Sequence, residues 1–317
     1  MATTTSITTT YAGEYAGKYI APALLSGNTL SQGAISIMPN VKYKAVIKKL
    51  STDGIVKDAT CDFTDTSTIT TVERILTPAE QQVNLELCKK DHHSDWEAVQ
   101  MGYSAHDQIP PNFGAFLLEY VSAKVAQKTE QNIWGGIAAS AGEFDGFVEL
   151  LTNDANLPTD NEVAGVAITS SNVVAQLGAI KDAIPNAVKT SGECVIYCAI
   201  NIADAYIRAL GGFGASGLGA AGVDNKGPGW YNGQPLVFEG IPMFVAPGLA
   251  DNVAIAAEKS NLWFGTGLMS DHNEVKVLDM ANLDGSDNVR IVMRFTAGVQ
   301  YGAVEDIVTY GIVNPNN

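Results

Sequence analysis

The stretch VKYKAVIKKLSTDGIVKDATCDF, residues 41–63, decides how the chain is read. Val41, Tyr43, Ala45 and Ile47 alternate with Lys42, Lys44, Val46 and Lys48, the period-two pattern of a strand. After Ser51-Thr52-Asp53-Gly54 a second alternation follows, with Ala59, Cys61 and Phe63 set against Asp58, Thr60 and Asp62. A two-residue Asp53-Gly54 loop would place Tyr43 opposite Thr64 and set apolar residues against polar ones. A three-residue loop over 52–54, with Gly54 left-handed, pairs Tyr43 with Phe63 and Ile47 with Ala59. On the other face it sets Lys44 opposite Asp62 and Lys48 opposite Asp58. The second register satisfies both faces, and it predicts a long β-hairpin with one charged side.

Upstream, residues 1–40 are rich in Thr, Ser and Gly, with Tyr11, Tyr15 and Tyr19 spaced by four. A segment with so little apolar content is ordered only by lying against something else, either its own domain or a neighbouring subunit. Downstream, a Thr-rich stretch (Thr64 to Thr71) and Pro78 lead to a third strand, Val83-Leu85-Leu87. Ser94-Asp95-Trp96-Glu97 matches a capping box and starts a short helix to about Met101. Pro110-Pro111-Asn112 then stops the chain, and Asn112 caps the longest helix. Phe113, Phe116, Leu117, Tyr120, Val121 and Val125 fit its 3.6-residue period, and Gly135-Gly136 ends or kinks it.

From residue 143 the pattern alternates between β and α. A helix from Ser171 buries Val173, Val174, Leu177, Ile180 and Ile184 and stops at Pro185. A strand from Cys194 to Ile200 leads to a helix capped by Asn201 and ended by Gly211-Gly212. Strands follow near 236–245, 261–264, 274–280, 289–296 and 307–313. The fold class is α+β, without an internal repeat.

Composition narrows the function. At roughly 150 residues per domain, 317 residues predict about two domains or one large unit. Nineteen Lys and Arg against 34 Asp and Glu give a net charge of −15, which excludes a polyanion binder held by bulk charge. Residues 1–109 are near balance, with nine basic and twelve acidic side chains, so the acidity belongs mostly to the rest. Four Cys (Cys61, Cys88, Cys194, Cys198) are too sparse for a disulfide framework and read as buried free thiols from a reducing compartment. No apolar run reaches a membrane span, and MATTTSITTT lacks the basic start and apolar core of a signal peptide, so a cytosolic origin is expected.

Each candidate for chemistry has a blander reading. Residues 211–222 contain GxGxxG from Gly212 and again from Gly217, with Gly214 inside the first. That motif binds a pyrophosphate only between a strand and a helix N-terminus, whereas here a helix precedes it and none follows. It reads as a Gly-built loop. Asp91-His92-His93-Ser94-Asp95, near His106 and Asp107, lacks metal-ligand spacing and reads as a polar loop. Asp284-Gly285-Ser286-Asp287 lacks the bidentate Glu of a calcium loop and reads as a turn. Neither GxSxG nor GxxxxGK[ST] occurs. The expectation is a non-enzyme with no catalytic residue, cofactor or metal.

The order of these parts (arm, charged hairpin, long helix, α/β middle with a Gly-rich tip, terminal strands) resembles the HK97-like major capsid proteins of tailed bacteriophages. Local pieces share the likeness: Ser171-Asn172-Val173-Val174 to Ile184-Pro185, Cys194-Val-Ile-Tyr, Phe238-Glu-Gly-Ile-Pro242, and Leu262-Trp-Phe-Gly-Thr-Gly-Leu through Val289-Arg-Ile, Arg294-Phe and Tyr310-Gly-Ile. The resemblance implies an N-terminal arm over 1–40, an E-loop hairpin over 41–90, and a peripheral domain over 91–189 including a spine helix at 112–140. It further implies an axial domain over about 190–255 and peripheral-domain strands over 256–317. Arm and E-loop would clasp neighbours, making Tyr11, Tyr15, Tyr19, Lys44, Lys48, Asp53, Gly54, Asp58 and Asp62 interface candidates. Gly212, Gly214 and Gly217 would lie near the capsomer axis.

The function implied is a self-assembling icosahedral shell of hexamers and pentamers around packaged double-stranded DNA, held without sequence specificity. Partners would be the chain itself, portal, scaffolding and decoration proteins, with no membrane. The chain would assemble in the host cytoplasm and reside in the virion. The helical scaffolding segment that begins many relatives has no counterpart at Met1, and Lys57 on the hairpin lacks an identifiable partner for cross-linking. An encapsulin-like compartment and a nucleotide-binding cytosolic enzyme stand as alternatives. A tail-tube protein fits poorly with the long helix and the α/β middle.

Overall fold

The computed structural model describes residues 28–52, 54–59, 61, 68–88, 111–210, 236–267, 276–282 and 285–315. Along the chain come α1 (Asn28–Ser31), β1 (Ser36–Met38), β2 (Ala45–Thr52), β3 (Ile69–Leu76), β4 (Ala79–Cys88) and the long α2 (Pro111–Gly135). Then follow α3 (Phe147–Thr152), β5 (Glu162–Val163), α4 (Val173–Ala183), α5 (Asn186–Ser191), β6 (Cys194–Cys198) and α6 (Ile200–Leu210). The remaining strands are β7 (Val237–Phe238), β8 (Ile241–Val245), β9 (Ala254–Glu258), β10 (Leu262–Thr266), β11 (Lys276–Asp279), β12 (Asn288–Tyr301) and β13 (Val308–Tyr310).

One strand organises the first sheet. β12 alternates buried Val289, Ile291, Met293 and Phe295 with Arg290, Val292, Arg294 and Thr296, so one face enters the core and the other does not. Its whole outer length, 288–297, pairs antiparallel with β4. Its other edge takes β11 at one end and β10 at the other, and β1 adds to β10 in parallel. Five strands result, and the expected strand at Val83–Leu87 is the middle of β4.

The second sheet has the order β5-β13-β9-β6-β8-β7 and is covered on both faces. Ile196 and Cys198 of β6 face a core formed with α4 and α6, while Tyr197 faces the core shared with α2, α3 and the first sheet. β9 was not expected from the sequence. Ala254-Ile-Ala-Ala is buried throughout, so it shows no alternation, as in strands covered on both faces.

Helix α4 buries Val173, Leu177 and Ile180, and Ile184 follows before Pro185, as its periodicity predicts. The long helix ends at Gly135. Gly136 is required there, because a Cβ would lie 2.3 Å from the Phe144 carbonyl oxygen. Asn201 does not cap α6: the helix begins at Ile200, and Asn201 instead donates to Asn252 Oδ1 at 2.9 Å and accepts from the Asn252 amide. It ties the helix to the turn before β9.

Three expectations need correction. The strand partner of 45–52 is 69–76, not 59–63, so residues 53–68 join the strands and no three-residue turn forms. Lys48 therefore stands opposite Glu73, not Asp58. Strand 79–88 leaves the ribbon for the first sheet, and β13, α4 and α5 belong with the second sheet and its core, so the expected boundaries at 90, 190 and 256 do not follow the packing. The short helix from Ser94 to Met101 lies outside the described residues.

Candidate assembly surface

The ribbon of β2 and β3 has two unlike faces. Inward come Ala45, Ile47 and Lys49, opposite Leu76, Arg74 and Val72. Outward come Val46, Lys48, Leu50 and Thr52, opposite Ile75, Glu73, Thr71 and Ile69. The outward face is apolar yet uncovered: Leu50 is 70% exposed and Ile69 68%, with Val46 and Ile75 about half exposed. In its middle, Lys48 Nζ lies 3.5 Å from Glu73 Oε1. The expected charged side is thus one ion pair, with the aliphatic pair Val46–Ile75 on one side and the mixed pairs Leu50–Thr71 and Thr52–Ile69 on the other.

The inward face near the root is fastened to the body. Leu76 is fully buried and fills the space above Gly265, where a Cβ would come within 2.2 Å of its side chain. Arg74 Nη2 donates to Asp154 Oδ2 at 2.5 Å and stacks its guanidinium 4.5 Å from the Tyr301 ring centre. Tyr301 donates its hydroxyl to the same carboxylate at 2.8 Å. Lys49 donates to Glu305 Oε2 at 2.7 Å, and the Gln300 amide donates to the Ile75 carbonyl. The outer half, Leu50–Thr52 against Ile69–Thr71, is exposed on both faces.

The electrostatics favour an ionised anchor. Burial pushes the Asp154 carboxyl up, but the Asn156 amide, the Tyr301 hydroxyl and Arg74 together hold it below the usual aspartate range. Glu305 behaves likewise: burial raises it, but the Lys49 hydrogen bond, its own backbone amide and the charges of Lys49 and Arg74 together lower it. Tyr301 is held up by burial and by its bond to Asp154, so it remains a hydroxyl donor.

Of the candidates from sequence, Lys48 pairs as described, and Lys44 lies with its Nζ 5.5 Å from the ring centre of the exposed Tyr43. Gly54 has φ +57, the left-handed conformation expected, although it does not close a tight turn. Asp58 is exposed and is opposite no strand residue. Tyr11, Tyr15, Tyr19, Asp53, Asp62, Gly212, Gly214 and Gly217 lie outside the described residues. The anchor residues Arg74, Asp154 and Tyr301 carry no local sequence signal, because Asp154 is 80 residues from Arg74 and 147 from Tyr301.

Among the described residues no group of three or more His, Cys, Asp or Glu could hold a metal ion, and no helix is long and apolar enough to cross a membrane. Cys194 and Cys198 are buried, as expected, and burial raises their thiols to about 11 and about 12, whereas Cys88 is half-buried and Cys61 exposed.

No protein-family model and no curated protein matches the sequence. Solved structures do match by fold. The capsid of a native GTA particle aligns at a TM-score of 0.64 with 13% identity, covering 92% of each chain. A chain from Gordonia phage Cozz aligns at 0.60 with 10% identity, over 95% of this chain and 90% of its own. One from Mycobacterium phage Adephagia aligns at 0.57 with 16% identity, over 93% and 91%.

Proposed function

From a chain with the HK97-like capsid fold, we propose a major capsid protein, many copies of which assemble into the icosahedral shell of a tailed phage. The observation that carries this reading is the likeness to phage and GTA structures over at least nine-tenths of both chains. The uncovered aliphatic face of the ribbon supports it, since a two-stranded ribbon is marginal alone and gains when its face is buried on another subunit.

In this reading the ribbon over 45–76 is the E-loop and α2 is the spine helix. The second sheet with α4 and α6 forms the axial domain, and the first sheet forms the peripheral domain. Residues 1–40 would serve as the arm, and the Gly-rich segment 211–222 would belong near the capsomer axis. Subunits would join as hexamers and pentamers around double-stranded DNA, with portal, scaffolding and decoration proteins as further partners. The body's acidity suits a shell that encloses DNA without gripping it by charge.

Negative-stain microscopy of the purified chain tests the reading. Capsomers or closed shells are expected. A monomer that never assembles across salt and pH would overturn it. The double variant Val46→Asp with Leu50→Asp should keep the monomer fold, because both side chains are exposed, yet abolish assembly. Normal shells from that variant would remove the ribbon face from the interface.

A further inference from the structure

Glu130 is a carboxylate in the core with no cation paired to it among the described residues. It is 1% exposed and lies on α2 one turn before the fully buried Trp134. Thr29 of α1, itself fully buried, donates its amide to Glu130 Oε2 at 3.1 Å and its hydroxyl to Oε1. Trp134 Nε1 is shared between Thr29 Oγ1 at 2.9 Å and Glu130 Oε1 at 3.2 Å. Three of these four bonds join the long helix to the short helix where residues 1–27 enter the described structure, and the fourth lies within the long helix. The backbone of Gly248 closes the other side, where a Cβ would lie 2.2 Å from the Glu130 carbonyl oxygen.

We propose that Glu130 is a proton-operated latch on the root of the N-terminal segment, closed when its carboxyl takes a proton from solvent and opening as it ionises. Among the described residues the groups bonded to the carboxylate are neutral: Thr29 from α1 and Trp134 from its own helix, while the Gly248 backbone, from the turn after β8, packs on the Glu130 backbone carbonyl. On neighbouring elements the titratable groups are Tyr197, which donates its hydroxyl to the Ala34 carbonyl, and Lys259, whose Nζ lies beside Gly33. Neither exerts a charge effect on Glu130, and the dominant influence is burial, which raises its affinity for a proton against the opposing hydrogen bonds of Thr29 and Trp134.

The carboxyl can keep its partners in both states. Ionised, it accepts from the Thr29 hydroxyl and amide. Protonated on Oε1, it donates to Thr29 Oγ1, which still accepts from Trp134, while Oε2 still accepts from the Thr29 amide. The buried charge differs, and in the protonated form the Thr29 hydroxyl proton turns away from Oε1. A carboxyl that binds its proton more tightly when docked favours the docked state at low pH, and that preference is lost as pH rises through its docked pKa. The far side of the root stays fixed, because Tyr197 holds Ala34, β1 pairs with β10 and Ile35 is buried. Gly33, at φ +60, lies between the fixed part and Thr29 and supplies the hinge. This inference concerns the packing of one chain and does not depend on shell assembly.

Amide hydrogen exchange of the full-length chain, corrected for the intrinsic pH dependence of exchange, provides the test. Protection at Thr29 should fall as pH rises, by up to about tenfold per pH unit across the transition. Glu130→Gln, which imitates the protonated carboxyl, should hold that protection constant. Thr29→Val removes the hydroxyl bond that favours the ionised form and should move the transition to higher pH, and this decides the matter if Glu130→Gln does not fold. A flat profile in the wild type, a pH dependence that survives in Glu130→Gln, or a transition in Thr29→Val that stays or moves down would overturn the latch.

Discussion

In the six-stranded sheet Ile196 and Tyr197 are successive residues, and each enters a different core. In the ribbon Val46 and Ile47 are also successive, yet only Ile47 turns toward the body. One strand is held by what covers it, the other by a few contacts at its root. Covering both faces gives stability without any special side chain. Covering one half of one face leaves a ribbon whose position depends on Leu76, Arg74 and Lys49, and whose outer face is available to another molecule.

The sharpest test of that contrast is Ile196→Ala. Removing a fully buried side chain from a sheet packed on both sides should cost about 2–5 kcal/mol, read as a lower denaturation midpoint of the monomer. A change below 1 kcal/mol, on the order of an exposed site, would mean the two regions are not distinguished by burial.

Arg74→Ala should cost less, about 1–2 kcal/mol, because the guanidinium is partly exposed and the Tyr301 hydroxyl continues to bond Asp154. Its effect should concentrate in the ribbon, with protease cleavage between 45 and 76 accelerating before global unfolding does. Uniform destabilisation would argue against a separable anchor.

Acid probes the same anchor. Asp154 and Glu305 both have carboxyls lowered in the fold, so their stabilisation is present above their ordinary range and lost as pH falls through the lowered values. Ribbon cleavage by an acid-active protease should therefore increase only below the usual carboxylate range, and Arg74→Ala should weaken that dependence. The Glu130 latch has the opposite sign, so a pH series should loosen the two ends of the molecule in opposite directions.

The smallest effect belongs to Lys48→Ala. The Lys48–Glu73 pair is exposed on both sides, and its loss should change monomer stability by less than about 0.5 kcal/mol. A larger loss by thermal melting would mean that the outward face is covered within the monomer.

The same contrast explains what could be read from sequence. β12 and β2 each have one covered face, so alternation reveals them, and α4 shows its stripe for the same reason. β9 has two covered faces and an Ala-rich sequence, so no pattern marks it. The ribbon's second strand failed differently. Ile69-Thr-Thr-Val-Glu-Arg-Ile-Leu puts apolar residues on both faces, while Asp58–Phe63 alternates cleanly and competes for the role. Asp58 and Asp62 looked like natural partners for lysines, but Glu73 does that work for Lys48. Glu130 reads in sequence as one more polar residue on a long helix, and only the arrival of Thr29 from 101 residues away makes it a buried group.

The span of β12 also sets a timetable for folding. Its partner β4 precedes it by about 200 residues, so at roughly 5–20 residues per second a ribosome completes β4 some 10–40 s before β12 exists. Through that interval β4 carries an unfilled hydrogen-bonding edge, and β1 waits similarly for β10. The first sheet must therefore close late and almost at once, when the last strands emerge. Chains that stop before Asn288 should be insoluble, and a soluble, folded fragment ending there would show that the sheet does not need its longest strand.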